Sequence, residues 1–403
     1  MTVRRRITDF LGLNRSISGL LVMVILVGLG EKMAERFLPI YLLALGGGFL
    51  TVGFLNGMDN LLSALYSFPG GYLSDRWGHK KALLFFNLVA MAGYLIVIIF
   101  PYWQAVFVGS VFFLSWTAIS LPATMSLVSK TVPSGKRTMG VSLHSLMRRV
   151  PMALGPVIGG LMIGMFGEIR GIRYSFVIAL LLGLVSLLAQ QFLIAEDKGP
   201  RVQAEKNPLR LWRFMNSDLK SLLVSDILIR YAEQIPYAFV VVWCIKNNGI
   251  SALQFGLLTT VEMVTAMLVY LPVAYLADRT TKKPFVSLTF VNFTVFPLFL
   301  LFSHSFWMLL AAFVIRGLKE FGEPTRKALI MDLAPEDMKA GMFGLYYLIR
   351  DVIVSLAAFG GAFLWNVSPA ANLITAFVFG LGGTVYFMAF GRDLKSAAGS
   401  TVA

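Results

Sequence analysis

Apolar residues fall in stretches of about twenty, enough for a helix to cross a hydrocarbon core of roughly 30 Å. Twelve follow one another, at about 18–44, 49–73, 82–101, 104–129, 139–166, 174–195, 219–245, 251–276, 285–303, 306–330, 341–366 and 371–391. Alternating barrel-type strands are missing from the pattern, and unpaired backbone groups are too costly in lipid, so the stretches predict helices. The first residues, MTVRRRITDFLGLNRSISGLL, put a basic stretch before an apolar run that continues into Glu31 without a small-residue cleavage site. This reads as a basic tail and a retained first span. The fold class expected is an all-α membrane protein of twelve transmembrane helices.

One long polar segment, 196–218, divides the spans six and six. It predicts an N-terminal six-helix bundle (1–195), a cytoplasmic linker (196–218) and a C-terminal six-helix bundle (219–403). The halves repeat each other. GYLSDRWGHKK at 71–81 is echoed by AYLADRTTKKP at 274–284, and 119–150 aligns without gaps on 321–352. That register pairs Pro122 with Pro324, Pro133 with Pro335 and Arg148 with Arg350. An internal repeat of this length predicts two pseudo-symmetric bundles.

Composition narrows the function. The chain is 57% hydrophobic and 14% charged over 403 residues, too apolar for a soluble enzyme. A single cysteine, Cys244, and three scattered histidines leave no disulfide and no expected metal site, and no cofactor is implied. The net charge of +14 follows from loop position. With the N-terminus inside, about two dozen of the 35 Lys and Arg lie on the cytoplasmic side and about three (Arg170, Arg173, Lys246) outside. This predicts both termini in the cytoplasm of a cell with the chain in its inner (plasma) membrane, and makes nucleic-acid binding superfluous. The chain is expected to act as a monomer.

The loop Gly71-Tyr72-Leu73-Ser74-Asp75-Arg76-Trp77-Gly78-His79-Lys80-Lys81 resembles the G-x-L-[AS]-D-R-x-G-R-[KR] signature of the major facilitator superfamily, with His79 in place of Arg. The second copy keeps Asp278-Arg279 but has Thr281 where Gly is expected. Gly155-Pro156-Val157-Ile158-Gly159-Gly160 resembles the fifth-span motif of that family's drug/proton antiporters. Their fourth-span Arg motif is missing, and a similar pattern sits in span 10 as Arg316-Gly317-Leu318-Lys319-Glu320-Phe321-Gly322. The resemblance implies a fold in which spans 3, 6, 9 and 12 lie outermost and spans 1, 4, 7 and 10 line a cavity. It also implies a conformational latch in the signature loop, with Gly71, Asp75, Arg76, Gly78 and Lys80, mirrored by Asp278 and Arg279. Gly155, Pro156, Gly159 and Gly160 are expected to pack closely on a neighbouring helix.

Charge placement agrees with that architecture. Spans 3, 6, 9 and 12 contain no Asp, Glu, Lys or Arg, while charges gather in spans 1, 5, 7, 10 and 11. An ionised side chain at the bilayer centre needs a partner or a wet cavity. About nine acids face eight bases within the spans, which predicts paired networks. Asp226, Arg230 and Glu233 form one stripe on span 7. Glu31, Glu35 and Glu233, then Asp59 and Glu262, are the candidates for proton coupling. A mid-membrane carboxyl is pulled toward neutrality by desolvation and toward ionisation by a base. Glu262 has no base within four positions, so it is protonated or meets one from another helix. Arg36, Trp116, Asp226, Arg230, Arg316, Glu320, Tyr346 and Tyr347 are candidates for a substrate cavity. Arg148 and Arg350 are charge partners that either tie helices together or hold an anion. Lys319 and Glu323, near the cytoplasmic end, favour a packing role.

No nucleotide-binding loop or catalytic constellation appears, so the expectation is a non-enzyme driven by an ion gradient. The preferred reading is a proton-coupled secondary transporter exporting a lipophilic or amphipathic small molecule. The alternatives are an organic-anion symporter or exchanger, a lipid flippase and a non-transporting membrane receptor.

Overall fold

The computed structural model describes residues 15–114, 116, 120, 124, 137–195, 208–279, 281–334 and 339–392; the side chains of 67–69, 71–72, 75, 137–146, 208–210, 270–271, 274–275, 277–279, 324, 328, 331 and 339–341 lie outside that description. Every described element is a helix. Span 1 is Arg15–Glu35 and, after a turn at Arg36 and Phe37, Leu38–Ala44. Phe49–Trp77, His79–Ile99 and Trp103–Phe113 follow as spans 2, 3 and 4. Spans 5 and 6 are the two parts of Arg137–Leu193, which is interrupted at Gly167. A short 3-10 turn, Pro208–Phe214, precedes span 7. Span 7 is Ser217–Tyr237 and then Val240–Asn247, bent by 41°. Span 8 is Ala252–Arg279, span 9 Lys283–Leu301, span 11 Lys339–Val367 and span 12 Pro369–Phe390. Span 10 comes as Phe306–Leu318 and Glu323–Leu333. Seven described helices are long and apolar enough to cross a membrane, one of them the 47-residue Met147–Leu193 that holds two spans, and the bent pair of span 7 makes an eighth.

Local chemistry sets several of these ends. Gly167 (φ 79°) and Gly78 (φ 84°) take the left-handed backbone that reverses the chain between spans 5 and 6 and between spans 2 and 3. Ser251 and Gln254 form a reciprocal capping box at the start of span 8, with bonds of 3.1 and 2.8 Å. Asn216 caps span 7 through Leu219 N–H (2.8 Å) and donates to Leu333 O (2.8 Å), tying the start of span 7 to the end of span 10. Pro39, Pro236 and Pro324 lie at the breaks of spans 1, 7 and 10, where a missing N–H and a fixed φ favour an interrupted helix.

Contacts divide the chain into two compact units, and spans 2 and 8 belong to both. The first unit holds the chain to Gly48, span 2 from Leu61, spans 3–6 and Ser251–Thr260. The second holds Phe49–Asn60, span 7, span 8 from Val261 and spans 9–12. Within the first, span 5 packs on span 1. A Cβ on Gly155 would stand 2.7 Å from Lys32 Cβ, and one on Gly159 would collide with Met33 O. A Cβ on Gly160 would sit 2.5 Å from Ala252 O at the start of span 8. Within the second, Leu219, Leu222, Phe290, Leu329, Leu345 and Phe387 join spans 7, 9, 10, 11 and 12 in one core. Exposed apolar residues form rows on the charge-free spans, among them Leu181, Leu184, Val185 and Leu188 on span 6, and Ile374, Val378, Leu381, Val385 and Met388 on span 12. Lipid covers such rows in a membrane protein.

Candidate functional site

The second unit carries a ladder of ten alternating acids and bases across spans 7, 8, 10 and 11. It begins at Asp351, which accepts from Arg350 (2.7 Å). Arg350 reaches Asp226 Oδ2 at 3.4 Å, and Asp226 Oδ1 accepts from Arg326 Nη1. Arg326 Nη2 donates to Glu323 (2.6 Å), and Glu323 lies 3.7 Å from Arg230 Nη2. Arg230 Nη1 donates to Glu233, whose other oxygen accepts from Lys319 Nζ at 2.6 Å. Lys319 is also 3.8 Å from Glu262 Oε1, which meets Arg316 Nε at 3.3 Å.

Helix geometry accounts for the order of the rungs. Asp226, Arg230 and Glu233 lie four and three apart on span 7 and so share one face. The break in span 10 supplies the rest. Arg316 and Lys319 end its first helix, and Glu323 and Arg326 open its second, so bases and acids from one span reach different heights of span 7. Thr289 Oγ1 accepts from Gly322 N–H (2.5 Å) at the break. A Cβ at Gly322 would meet Phe285 O at 2.5 Å, so span 9 presses on this turn.

Part of the ladder is deeply buried, while Asp351 at its end is 30% exposed. Asp226, Glu262 and Arg326 have side-chain exposures of 0%, 1% and 2%. Ions taken out of water lose several kcal/mol of hydration each, and only well-formed partners offset that loss. Aromatic faces support the cations. Arg350 lies 4.1 Å from the Tyr347 ring centroid, and Arg316 lies within 5.3–5.8 Å of Tyr237, Phe296 and Phe313. Tyr346 OH donates to Asp226 Oδ2 (3.1 Å). Glu233, Tyr237, Val240, Phe293, Phe296, Arg316 and Lys319 line a small cavity of about 10 Å³, room for roughly one water.

The first unit has a smaller version. Lys32 Nζ pairs with Glu35 and lies 3.3 Å from Glu31 Oε1. Ala34-Glu35 and Ala232-Glu233 share a local pattern, though the repeat register sets them about one turn apart: each Glu pairs with a base three residues earlier, each Ala is buried, and a Pro follows within four residues of the Glu. Of the remaining rungs, Arg350 keeps a basic counterpart in the repeat, Arg148. Arg326 and Glu323 align with Thr124 and Leu121, so these two rungs belong to one half.

The other sequence candidates take varied places. Glu262, without a base nearby in sequence, gains Arg316 and Lys319 from span 10. Asp59 lies in the part of span 2 that joins the second unit, next to Asn60, which donates to Gln234 Oε1 (3.2 Å). Glu320 sits in the span 10 break, and Arg36 in the span 1 turn. Arg148 is half-buried on span 5. Trp116 is buried, and its indole N–H donates to Asn87 Oδ1 (2.8 Å); Asn87 donates on to Gln190 (2.8 Å), and Gln190 to Lys80 O (2.8 Å). That chain of amides makes Trp116 a tie between spans 3, 4 and 6. Arg76 is exposed, and Lys80 Nζ donates to Gln191 O (2.9 Å). The latch candidates Gly71, Asp75, Asp278 and Arg279 lie outside the described side chains. Arg326 and Asp351 are ladder members that the sequence reading did not single out. The i,i+3 pair Glu323–Arg326 was the available signal.

The model of the Major Facilitator Superfamily matches residues 20–231 and again 222–401, once for each half. The chain belongs to the Major Facilitator Superfamily. It is a membrane transporter of that type, with an all-helical fold. An uncharacterized MFS-type transporter of Methanocaldococcus jannaschii, MJ1317, is 21% identical over 370 residues, covering 86% of this chain and 87% of that protein. The uncharacterized MFS-type transporter YqjV of Bacillus subtilis is 25% identical over 192 residues, 47% of each chain. Among solved structures, the nucleoside transporter NupG matches with a TM-score of 0.77 at 13% identity, covering 94% of this chain and 100% of that one. The peptide transporter POT in complex with sulfate matches at 0.76 and 15% identity, with 97% of each chain covered. At such identities the likeness is one of fold.

Proposed function

We propose that this superfamily member is a proton-coupled secondary active transporter that exports a lipophilic or amphipathic small molecule by alternating access of its two halves. The observation that carries the proposal is Glu233, a part-buried carboxylate held by Arg230 of its own helix and Lys319 of a broken neighbour. Lys319 sits in the break of span 10 and Glu233 lies four residues before the end of the first helix of span 7; interrupted spans at membrane depth are where transporters place ion and substrate sites. Protonating Glu233 weakens its hold on both bases, which gives proton uptake a way to loosen span 10 from span 7. Lipophilic cargo is supported by the glycine-proline motif of span 5, Gly155 to Gly160. The Lys and Arg distribution supports an inner-membrane location with cytoplasmic termini.

A second reading, exchange or symport of an organic anion, is favoured by one observation. Arg230 Nε and Arg326 Nε are buried donors with no hydrogen-bond partner among the described residues. The deciding experiment is uptake into proteoliposomes carrying the full chain, with a pH gradient imposed and lipophilic cations and organic anions offered in parallel. Gradient-dependent movement of cations supports export. Movement of anions alone selects the second reading, and gradient-independent movement of either overturns proton coupling.

A further inference from the structure

We infer that the ends of spans 7 and 12 in the second unit form a binding site for the headgroup of an anionic phospholipid. The row Ile374, Val378, Leu381, Val385 and Met388 is spaced four, three, four and three, a single exposed apolar stripe down span 12. In a membrane transporter acyl chains cover that stripe. Four residues beyond Met388 the chain reaches Arg392, whose side chain is 77% exposed. Its guanidinium lies 3.7 Å from Asp218 in the first turn of span 7. On the same turn Lys220 places its ammonium 5.3 Å from the Trp212 ring.

The segment before span 7 is amphipathic in a matching sense. Leu211 and Met215 pack into the core of the unit, while Trp212, Arg213 and Phe214 are exposed. Among the described residues, Arg213, Lys220 and Arg392 therefore stand with Asp218 beside two outward rings and at the end of a lipid-covered stripe, where Lys283 Nζ donates to Met388 O (2.9 Å). A free phosphate ion would use the bases but neither the rings nor the stripe. A phospholipid uses all three: Trp and Phe at the headgroup level, acyl chains on span 12, and an anionic group among the bases.

The test places the full chain in phosphatidylcholine bilayers containing lipid brominated high on its acyl chains, either phosphatidylcholine or phosphatidylglycerol. Trp212 fluorescence is taken as the difference between the native chain and Trp212→Phe. The expected result is stronger quenching by brominated phosphatidylglycerol, corresponding to an enrichment of about fivefold for each engaged base. In the triple variant Arg213→Gln, Lys220→Gln, Arg392→Gln, the preference disappears while quenching by phosphatidylcholine persists. Equal quenching by both lipids in the native chain overturns the site. So does a preference that survives the triple variant, or a Trp212 that neither lipid quenches.

Discussion

Lys319 Nζ lies 2.6 Å from Glu233 and 3.8 Å from Glu262, so one ammonium on span 10 addresses carboxylates of spans 7 and 8. Glu262 therefore leaves Lys319 an acidic neighbour when Glu233 is neutralised. Glu233→Gln is therefore expected to fold and to bind substrate while losing gradient-driven transport. Paired binding and flux assays on the purified variant check this. Glu35→Gln, which removes the carboxylate paired with Lys32 in the first half, is expected to impair coupled flux in the same assay.

Asp226 accepts from Arg326, Arg350 and Tyr346 at once. Replacing it with Ala leaves two buried guanidiniums short of an anion. The expected loss of stability is about 3–5 kcal/mol, the range for breaking a buried pair from one side. Equilibrium unfolding in mixed micelles measures it. Removing both partners in Asp226→Leu with Arg326→Met is expected to recover part of the loss.

The fifth-span motif makes a steric prediction. Gly159→Ala drives a methyl group into Met33 O, and separating spans 1 and 5 is expected to cost about 1–3 kcal/mol. Gly164→Ala, five residues on, meets nothing within 4 Å and is expected to leave stability near the wild-type value. Melting temperatures of the two variants distinguish packing from a general dislike of substitution in this helix.

Trp116 was expected to line a substrate cavity, and the structure gives it Asn87 as a hydrogen-bond acceptor. Trp116→Phe leaves Asn87 Oδ1 without that donor, at a cost of about 1–3 kcal/mol for an unsatisfied buried group. The expected signature is a lowered melting temperature with unchanged substrate affinity.

Hydropathy made the spans legible, and the repeat made the two halves legible, because both depend on order along one chain. The stripe Asp226–Arg230–Glu233 was legible for the same reason. Partners across helices were not. Glu262 meets Arg316 through the register of spans 8 and 10, which no local spacing encodes. Proximity to a span end suggests a packing role for Lys319 and Glu323, and the break in span 10 gives both ion pairs to span 7. The repeat does not mark Arg326, whose partner is Thr124, so the halves diverge at the point where the charges concentrate. The sharing of spans 2 and 8 between units was likewise hidden, since a polar linker marks where the sequence divides and contacts mark where the structure does.

The most direct test of the central claim is proton movement accompanying substrate in proteoliposomes, followed with a pH-sensitive dye inside the vesicles. The account predicts that adding a transported substrate drives a proton flux in the native chain. It predicts that Glu233→Gln abolishes that flux while still binding the same substrate. A Glu233→Gln variant that moves protons with substrate as the native chain does would contradict it.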